Sequence, residues 1–517
     1  MRSRSLLFSS LLLAVGCTSW RVPSTSPAET VAHQRGSTIQ VLTRHDTTVV
    51  TSAMVANDSL FGRTARPNSL GSQRYAVALP DVLQIRVRQL DVGRSAVALV
   101  AVGGAVAVVM SAINDGNPPP PPSGGSGGGG DCGASGCLYS CPMVYSWDGH
   151  RYRLDSGTFG GAIVRALQRT DLDNLDYATP DDGFIRLRVT NQLNETDHLD
   201  AIHVLAVDHA AGIVVAPDGR GRAHGFRTPT DPVQAVDFRG RDVLGRVTAL
   251  DGRFWISDPT NRDSARVADV RDGVELSFIR PADEETAHLV VDANDTQWAT
   301  MLVGRWIGAR GDGTDAWYDS LNANPRRAEA DLAPLVREGF LTAKVWNGSS
   351  WTVAGQFWEA GPEVLKRQVL ELNLRGVTSD TVRVRLESAP SLWRIDRVSM
   401  AFGRDEPIHA AELPLQSART ALGQDVRPAL ASEDDRVLTL ETGEMADLAF
   451  LAAPIPAGRE RTYLLRSTGW YHINEVHTGP ADVAMLDRLA REPLALSKIA
   501  VGQLNDALSA LREEAAR

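Results

Sequence analysis

Three cysteines fall within the stretch DCGASGCLYSC: Cys132, Cys137 and Cys141. Their spacing, C-x4-C-x3-C, lacks the C-x2-C knuckle common in structural zinc sites, which take four nitrogen or sulfur ligands. His150 would have to supply a distant fourth. In an oxidising compartment the run reads as one disulfide with an odd thiol, and in a reducing one as free thiols. Disulfide, free thiols and metal all stay open until the compartment is known.

The other chemistry-bearing residues are more scattered. His198, His203 and His209 run beside Asp197, Asp200 and Asp208. On an alternating strand His203 shares a face with Leu199, Ala201, Leu205 and Val207, which predicts a packed core histidine rather than a ligand. Asp208 and His209 fall at the strand end, where a polar pair usually begins a turn. DLDNLDY places Asp171, Asp173 and Asp176 close together, but lacks the glycine and distal glutamate of an EF-hand. DPTNRDS, with Asp258, Asn261 and Asp263, is weaker still. Trp346, Trp351, Trp358 and Trp393 gather in one expected β region. Exposed, they would stack on sugars or dock a partner; buried, they are hairpin and core residues. There is no nucleophile elbow, P-loop, H-E-x-x-H or dinucleotide fingerprint. The sequence therefore assigns no catalytic residue and no cofactor.

The elements that hold these residues belong to a chain of 517 residues, 43% hydrophobic and 22% charged, which is ordinary for folded domains. A formal net charge of -10 without basic runs excludes a general nucleic-acid binder, which needs a cationic face for phosphates. Four cysteines in this length make no disulfide scaffold, so apolar cores must carry stability.

The N-terminus reads MRSRSLLFSSLLLAVGC: Arg2 and Arg4, then a short apolar core, then small residues before Cys17. This is the layout of an export signal, with a core too short to span a bilayer, which takes about 20 residues. The ending AVGC resembles a bacterial lipobox, with Ala14 in place of the more usual leucine. The resemblance implies a lipoprotein signal over 1–17, in which Cys17 is lipidated and becomes the mature N-terminus. A Ser/Thr/Pro-containing tether, 18–36, would follow.

Residues 37–93 alternate as short strands and resemble small SH3-like or Sm-like β-barrels of bacterial envelope proteins, which implies a fold and no activity. Next comes SAVALVAVGGAVAVVMSAI, 95–113, uncharged and long enough either to span a membrane or to pack as a buried helix. The topology signals conflict. A lipidated Cys17 faces away from the cytoplasm, whereas Arg86, Arg88 and Arg94 before the segment and Asp115 after it put the preceding side inside. The export signal is given precedence, so the body is expected outside the cytoplasm. Residues 114–131, NDGNPPPPPSGGSGGGGD, form a linker, stiff and then floppy.

The body is expected to be mainly β, with a helical insert and C-terminal helices. Residues 132–295 form a β-rich region, with hairpins at Asp148-Gly149 and Asp251-Gly252. Residues 296–337 show three- and four-residue apolar spacing and predict two or three helices. Strands return over 338–405, a mixed β region follows over 406–479, and helices occupy 480–517. Trp147-Asp148-Gly149 with Tyr152 is echoed by Trp346-Asn347-Gly348 with Trp351. This reads either as related hairpins in two β-sandwich halves or as convergent turn chemistry. Residues 340–403 resemble a galactose-binding-like jelly roll, ending in Trp393, Ile395, Asp396 and Val398. The stretch from Cys141 to residues 206–209 resembles uncharacterised bacterial surface proteins with no known activity.

The sequence reading is thus a membrane-anchored envelope lipoprotein without enzymatic function, presenting a β-rich body to an envelope protein or a glycan. A secreted hydrolase acting on glycans is the alternative; its acid/base carboxylates would show no signature spacing.

Overall fold

The computed structural model describes residues 18–21, 30–31, 39–43, 47–56, 59–65, 72–90, 142–358, 361–434 and 436–515. Cys17, the segment 95–113, the linker 114–131 and Cys132, Cys137 and Cys141 lie outside the described residues. The described chain is mainly β, with several sheets and C-terminal helices. Among the described residues no helix is long and apolar enough to cross a membrane.

The N-terminal sheet has six strands: β1 (Thr18–Arg21), β2 (Ile39–Thr43), β3 (Thr47–Ala56), β4 (Ser59–Ala65), β5 (Ser72–Ala78) and β6 (Val82–Leu90). Their order is β1-β6-β2-β3-β4-β5, with no ladder between β1 and β5 to close a barrel among the described residues. Thr18–Arg21, at the start of the expected tether, pairs with β6 over four residues. Alternating apolar residues such as Ile39, Val41, Ile85 and Val87 build a small core.

The body is two nested units. The outer unit begins with β7 (Met143–Trp147), β8 (Tyr152–Gly157), β9 (Arg169–Asn174), β10 (Phe184–Thr190) and β11 (Glu195–His209). It is completed far along the chain by β23 (His409–Glu412), β24 (Leu415–Thr420), β25 (Leu438–Leu440), β26 (Met445–Leu451) and β27 (Glu460–Ile473). One sheet runs β24-β26-β10-β7-β8; the other runs β23-β11-β27-β9, with β25 beside β11. Buried residues of both sheets, among them Leu187, Phe450, Val204 and Leu465, share one apolar cluster. Two sheets facing across a common core is the layered solution that amphipathic strands favour.

Between β11 and β23 lie the hairpin β12 (Ile213–Pro217) and β13 (Ala223–Arg227), and then the inserted unit. That unit consists of β14 (Gln234–Asp237), β15 (Trp255–Ile256), β16 (Asp272–Ile279), β17 (Thr286–Asp295), β18 (Leu341–Trp346), β19 (Trp351–Phe357), β20 (Lys366–Asn373), β21 (Thr381–Ser388) and β22 (Trp393–Phe402). Its sheets run β14-β16-β21-β18-β19 and β15-β22-β17-β20. They too share a core, with Phe278, Leu386, Leu289 and Met400 contributing.

Between β17 and β18 the chain forms α1 (Gln297–Gly308), α2 (Thr314–Ala323) and α3 (Pro325–Pro334). The C-terminal α4 (Val483–Arg491) and α5 (Ala495–Ala515) pack beside them; Leu302, Trp317, Leu489, Leu496 and Leu504 all join the inserted unit's core.

Candidate functional site

The three inserted helices and α4 enclose a cleft of about 450 Å³, lined by Trp306, Arg310, Trp317, Arg327, Asp331 and Leu486 among others. That volume is in the range of small-ligand sites, roughly 300–1,000 Å³. Local chemistry sets each wall. Thr296 caps α1: its Oγ1 accepts from Ala299 N at 3.2 Å and donates to Ser391 O at 2.6 Å. Asn324 caps α3, accepting from Arg327 N at 3.3 Å, with Pro325 in the first turn. Asp482 caps α4 through Met485 N at 2.9 Å.

The α1–α2 turn is stitched to the segment before α4. Asp312 N donates to Gly479 O at 2.9 Å, and Gly479 N donates to Asp312 Oδ1 at 3.0 Å. Gly311 has φ +52, and a Cβ there would lie 2.1 Å from Gly479 O, so only glycine permits this approach.

Arg310 is the central group. Its residue is only 9% exposed, and its guanidinium carbon lies 3.6 Å from the Trp317 ring centroid and 4.5 Å from that of Trp306. The two indoles meet edge to face at 5.2 Å. Nη1 donates to Trp306 O at 2.5 Å. Arg310 has no ion pair within 4.0 Å among the described residues. The nearby carboxylate, Asp331, accepts from Trp317 Nε1 at 2.8 Å and pairs with Arg327 at 3.8 Å. Burial lowers the Arg310 pKa to about 10, against the opposing pull of Asp331. The group therefore stays cationic at neutral pH. Aromatic faces stabilise a desolvated guanidinium by cation–π attraction, and its planar fork of donors suits a carboxylate, sulfate or phosphate. Trp306 and Trp317 are themselves buried, at 2% and 6% exposure, so they hold the arginine and offer no stacking face to a sugar.

The residues singled out in the sequence lie elsewhere. Trp346 and Trp351 are half-buried cross-strand partners at 5.4 Å, with Arg385 4.3 Å from the Trp351 ring. Trp358 is exposed and packs against Phe340 at 5.5 Å and Arg169 at 5.3 Å. Trp393 is core, its Nε1 donating to Gly339 O at 2.7 Å. The four do not form one row.

The histidines also separate. His198 stacks on Trp470 at 4.8 Å, and His209 Nε2 meets Thr462 Oγ1 at 3.0 Å. His203 is not in the core: it is half-buried, with Nδ1 2.7 Å from Glu412 Oε1. The cause is a bulge. β11 and β27 slip register between Leu199 and Ala201, so alternation inverts at Asp200, and Ile202 and Val204 turn inward instead. In DLDNLDY, Lys366 Nζ lies 3.0 Å from Asp173 Oδ1 and 3.8 Å from Asp171 Oδ2, so a protein ammonium stands where a cation would. Asp258 is engaged by Arg239, Arg241 and Thr260, and Asp263 Oδ1 accepts from Ala265 N. Among the described residues, a group of side chains that could hold a metal ion, His224, His288 and Glu371, lies apart from the cleft, at the β12–β13 hairpin.

The sequence reading did not single out Trp306, Arg310 or Trp317. The legible signal was Trp306 and Arg310 four residues apart, one helical turn, in a segment already read as helical. No known family model matches the chain, and no curated protein is significantly similar to it.

Proposed function

We propose that this chain is a membrane-anchored binding protein of the cell envelope. In this reading Cys17 carries the lipid, and the β-rich body, held outside the cytoplasm, captures an anionic ligand in the helical cleft. Arg310 carries the proposal: it is a buried, aromatic-clamped cation without an ion-pair partner among the described residues, lining a ligand-sized cleft. Desolvating a charge is costly unless a counter-charge meets it, so the site favours a ligand bearing a carboxylate, sulfate or phosphate. An acidic glycan or the acidic tail of an envelope protein has that chemistry. The hydrolase alternative finds less support, because Asp331 is already committed to Trp317 and Arg327.

The test is calorimetric titration of the detergent-solubilised full chain with uronate, sulfated and phosphorylated sugars and their neutral counterparts. Binding confined to the anionic members, weakened at least about tenfold by Arg310→Gln, is expected. Equal binding of neutral sugars, or indifference to the substitution, refutes the reading. Placement of the body is tested by protease digestion of intact cells and spheroplasts; protection in spheroplasts would put it in the cytoplasm.

A further inference from the structure

We propose that His224, His288 and Glu371 form a binding site for a divalent transition-metal ion, independent of the cleft. One ligand atom from each lies within 4.8 Å of the other two. The sheet brings two of them together: His288 on β17 is directly opposite Glu371 on β20. The β12–β13 hairpin folds over this face and delivers His224 from above. Phe226 stacks on the His288 ring at 5.4 Å and joins Ala216, Val290 and Val369 in an apolar floor. Both histidines are almost fully buried, His224 at 2% and His288 at 1% exposure, while Glu371 is exposed.

His288 has the hydrogen bonding of a metal-ready imidazole, whereas both nitrogens of His224 face carboxylates, so His224 would bind by exchanging its Nε2 contact with Asp218 for the ion. His288 Nε2 lies 2.9 Å from Asp405 Oδ1, and His224 Nδ1 lies 3.0 Å from the same oxygen. Arg222 bonds the other oxygen of Asp405 and holds the carboxylate in place. Donation of Nε2–H from His288 to Asp405 leaves Nδ1 as the lone-pair nitrogen, and that atom is buried with no hydrogen-bond partner. An orphaned buried acceptor of this kind is costly in a folded protein, and a bound cation relieves it. His224 Nε2 faces Asp218 Oδ2 at 3.2 Å. Three carboxylates, Asp218, Glu371 and Asp405, gather here, with Arg222 paired to Asp405 and His224 between Asp218 and Asp405, a setting that favours an added cation. Two imidazoles and a carboxylate suit zinc, cobalt or nickel rather than calcium or magnesium, which prefer all-oxygen shells.

The test uses the full chain, with its cysteines alkylated to remove competing thiolates and bound metal stripped by a chelator. Cobalt(II) is titrated while its visible absorption and the bound stoichiometry are followed. One equivalent per chain is expected, giving the spectrum of nitrogen and oxygen coordination and raising the melting temperature. Glu371→Gln, at an exposed position that leaves the fold intact, abolishes the spectrum, as does His288→Gln. Asp405→Asn weakens affinity by about 10–100-fold, as loss of an orienting carboxylate does. No cobalt bound to the wild-type chain, or an unchanged spectrum and affinity in folded Glu371→Gln, overturns the proposal.

Discussion

The outer and inserted units of the body carry the same strand pattern with the chain cut at different points. In the outer unit β10 lies between β7 and β26; in the inserted unit β21 lies between β18 and β16. Opposite them, β27 lies between β9 and β11 just as β17 lies between β20 and β22. The outer unit enters at the hairpin β7–β8, and the inserted unit enters at β14, the counterpart of β24. One is thus a circular permutation of the other.

The match extends to single residues. The Asp148 and Asn347 side chains each accept from the backbone N–H groups two and three residues on, and Gly149 and Gly348 follow at φ +92 and +98. Asp200 bulges out of β11 and accepts from Asp434 N at 2.9 Å; Asp396 bulges out of β22 and accepts from Gly252 N at 3.3 Å. Val426 N and Val243 N close equivalent loops onto Ala418 O and Ala235 O, both at 2.9 Å.

The units differ where the permutation forces different connections. Three of the four helices that make the cleft fill the β17–β18 link, a join the outer unit does not have; the fourth, α4, follows β27. The hairpin bearing His224 lies in the β11-to-β23 crossover, which the inserted unit lacks. Both proposed sites draw residues from these seams, connections that rigid sheets present and that tolerate elaboration.

The equivalence can be broken most forcefully in the cores. Phe450 on β26 and Phe278 on β16 are matched and fully buried. Each change to alanine is expected to cost about 3–5 kcal/mol. If the units unfold together, both variants shift one urea transition seen alike by fluorescence and circular dichroism; separate transitions would show the nesting to be energetically loose.

A pH series probes a bulge at which the units diverge. Both hairpins slip register at the same place, but the extra residue is Asp155 in one and Ala354 in the other. Burial raises the Asp155 pKa to about 7, although its carboxylate accepts from Asp176 N and Tyr177 N. The unfolded carboxyl ionises near 3.8, so between there and about 7 the native state binds more protons. Stability from this group is full below the unfolded value and is lost as pH rises to about 7, an effect of a few kcal/mol at most. Asp155→Asn should flatten that slope in the outer unit's melting profile; an unaltered profile would refute the assignment.

Smaller effects sharpen the match. Asp200→Ala and Asp396→Ala should each destabilise by about 1.5–3 kcal/mol in denaturant titrations. Asp200 should cost more, since it also accepts from Gln168 Nε2 at 2.7 Å. Gly149→Ala and Gly348→Ala, with open space around each absent Cβ, should cost about 1 kcal/mol apiece and nearly the same. A twofold disparity there would undo the equivalence of the turns.

Local features were legible in the sequence, and long-range ones were not. The Trp-Asp-Gly and Trp-Asn-Gly turns, the helical spacing over 296–337 and the C-terminal helices rest on residues within one or two turns of each other. The pairing of β11 with β27 depends on segments separated by the whole inserted unit, and no periodicity announces that. Alternation failed for His203 because a single bulged residue inverts it. What satisfies Asp171 and Asp173 was not legible either, because the ammonium of Lys366 arrives from a distant strand. His224 and His288 meet only through tertiary packing, each looking like an isolated strand histidine.

Nesting also sets an order in time. The inserted unit's strands all lie within 234–402, so its two sheets can pair as soon as that length has emerged, although the C-terminal helices that complete its core arrive last. The outer unit cannot. β10 must wait with one flank unpaired until Met445–Leu451 arrives, and β11 with both, until β23 and β25 and then Glu460–Ile473 arrive. Open strand edges invite wrong partners. The half-made outer sheets are therefore where a holding chaperone would act, and a chain stalled before residue 445 would display them permanently.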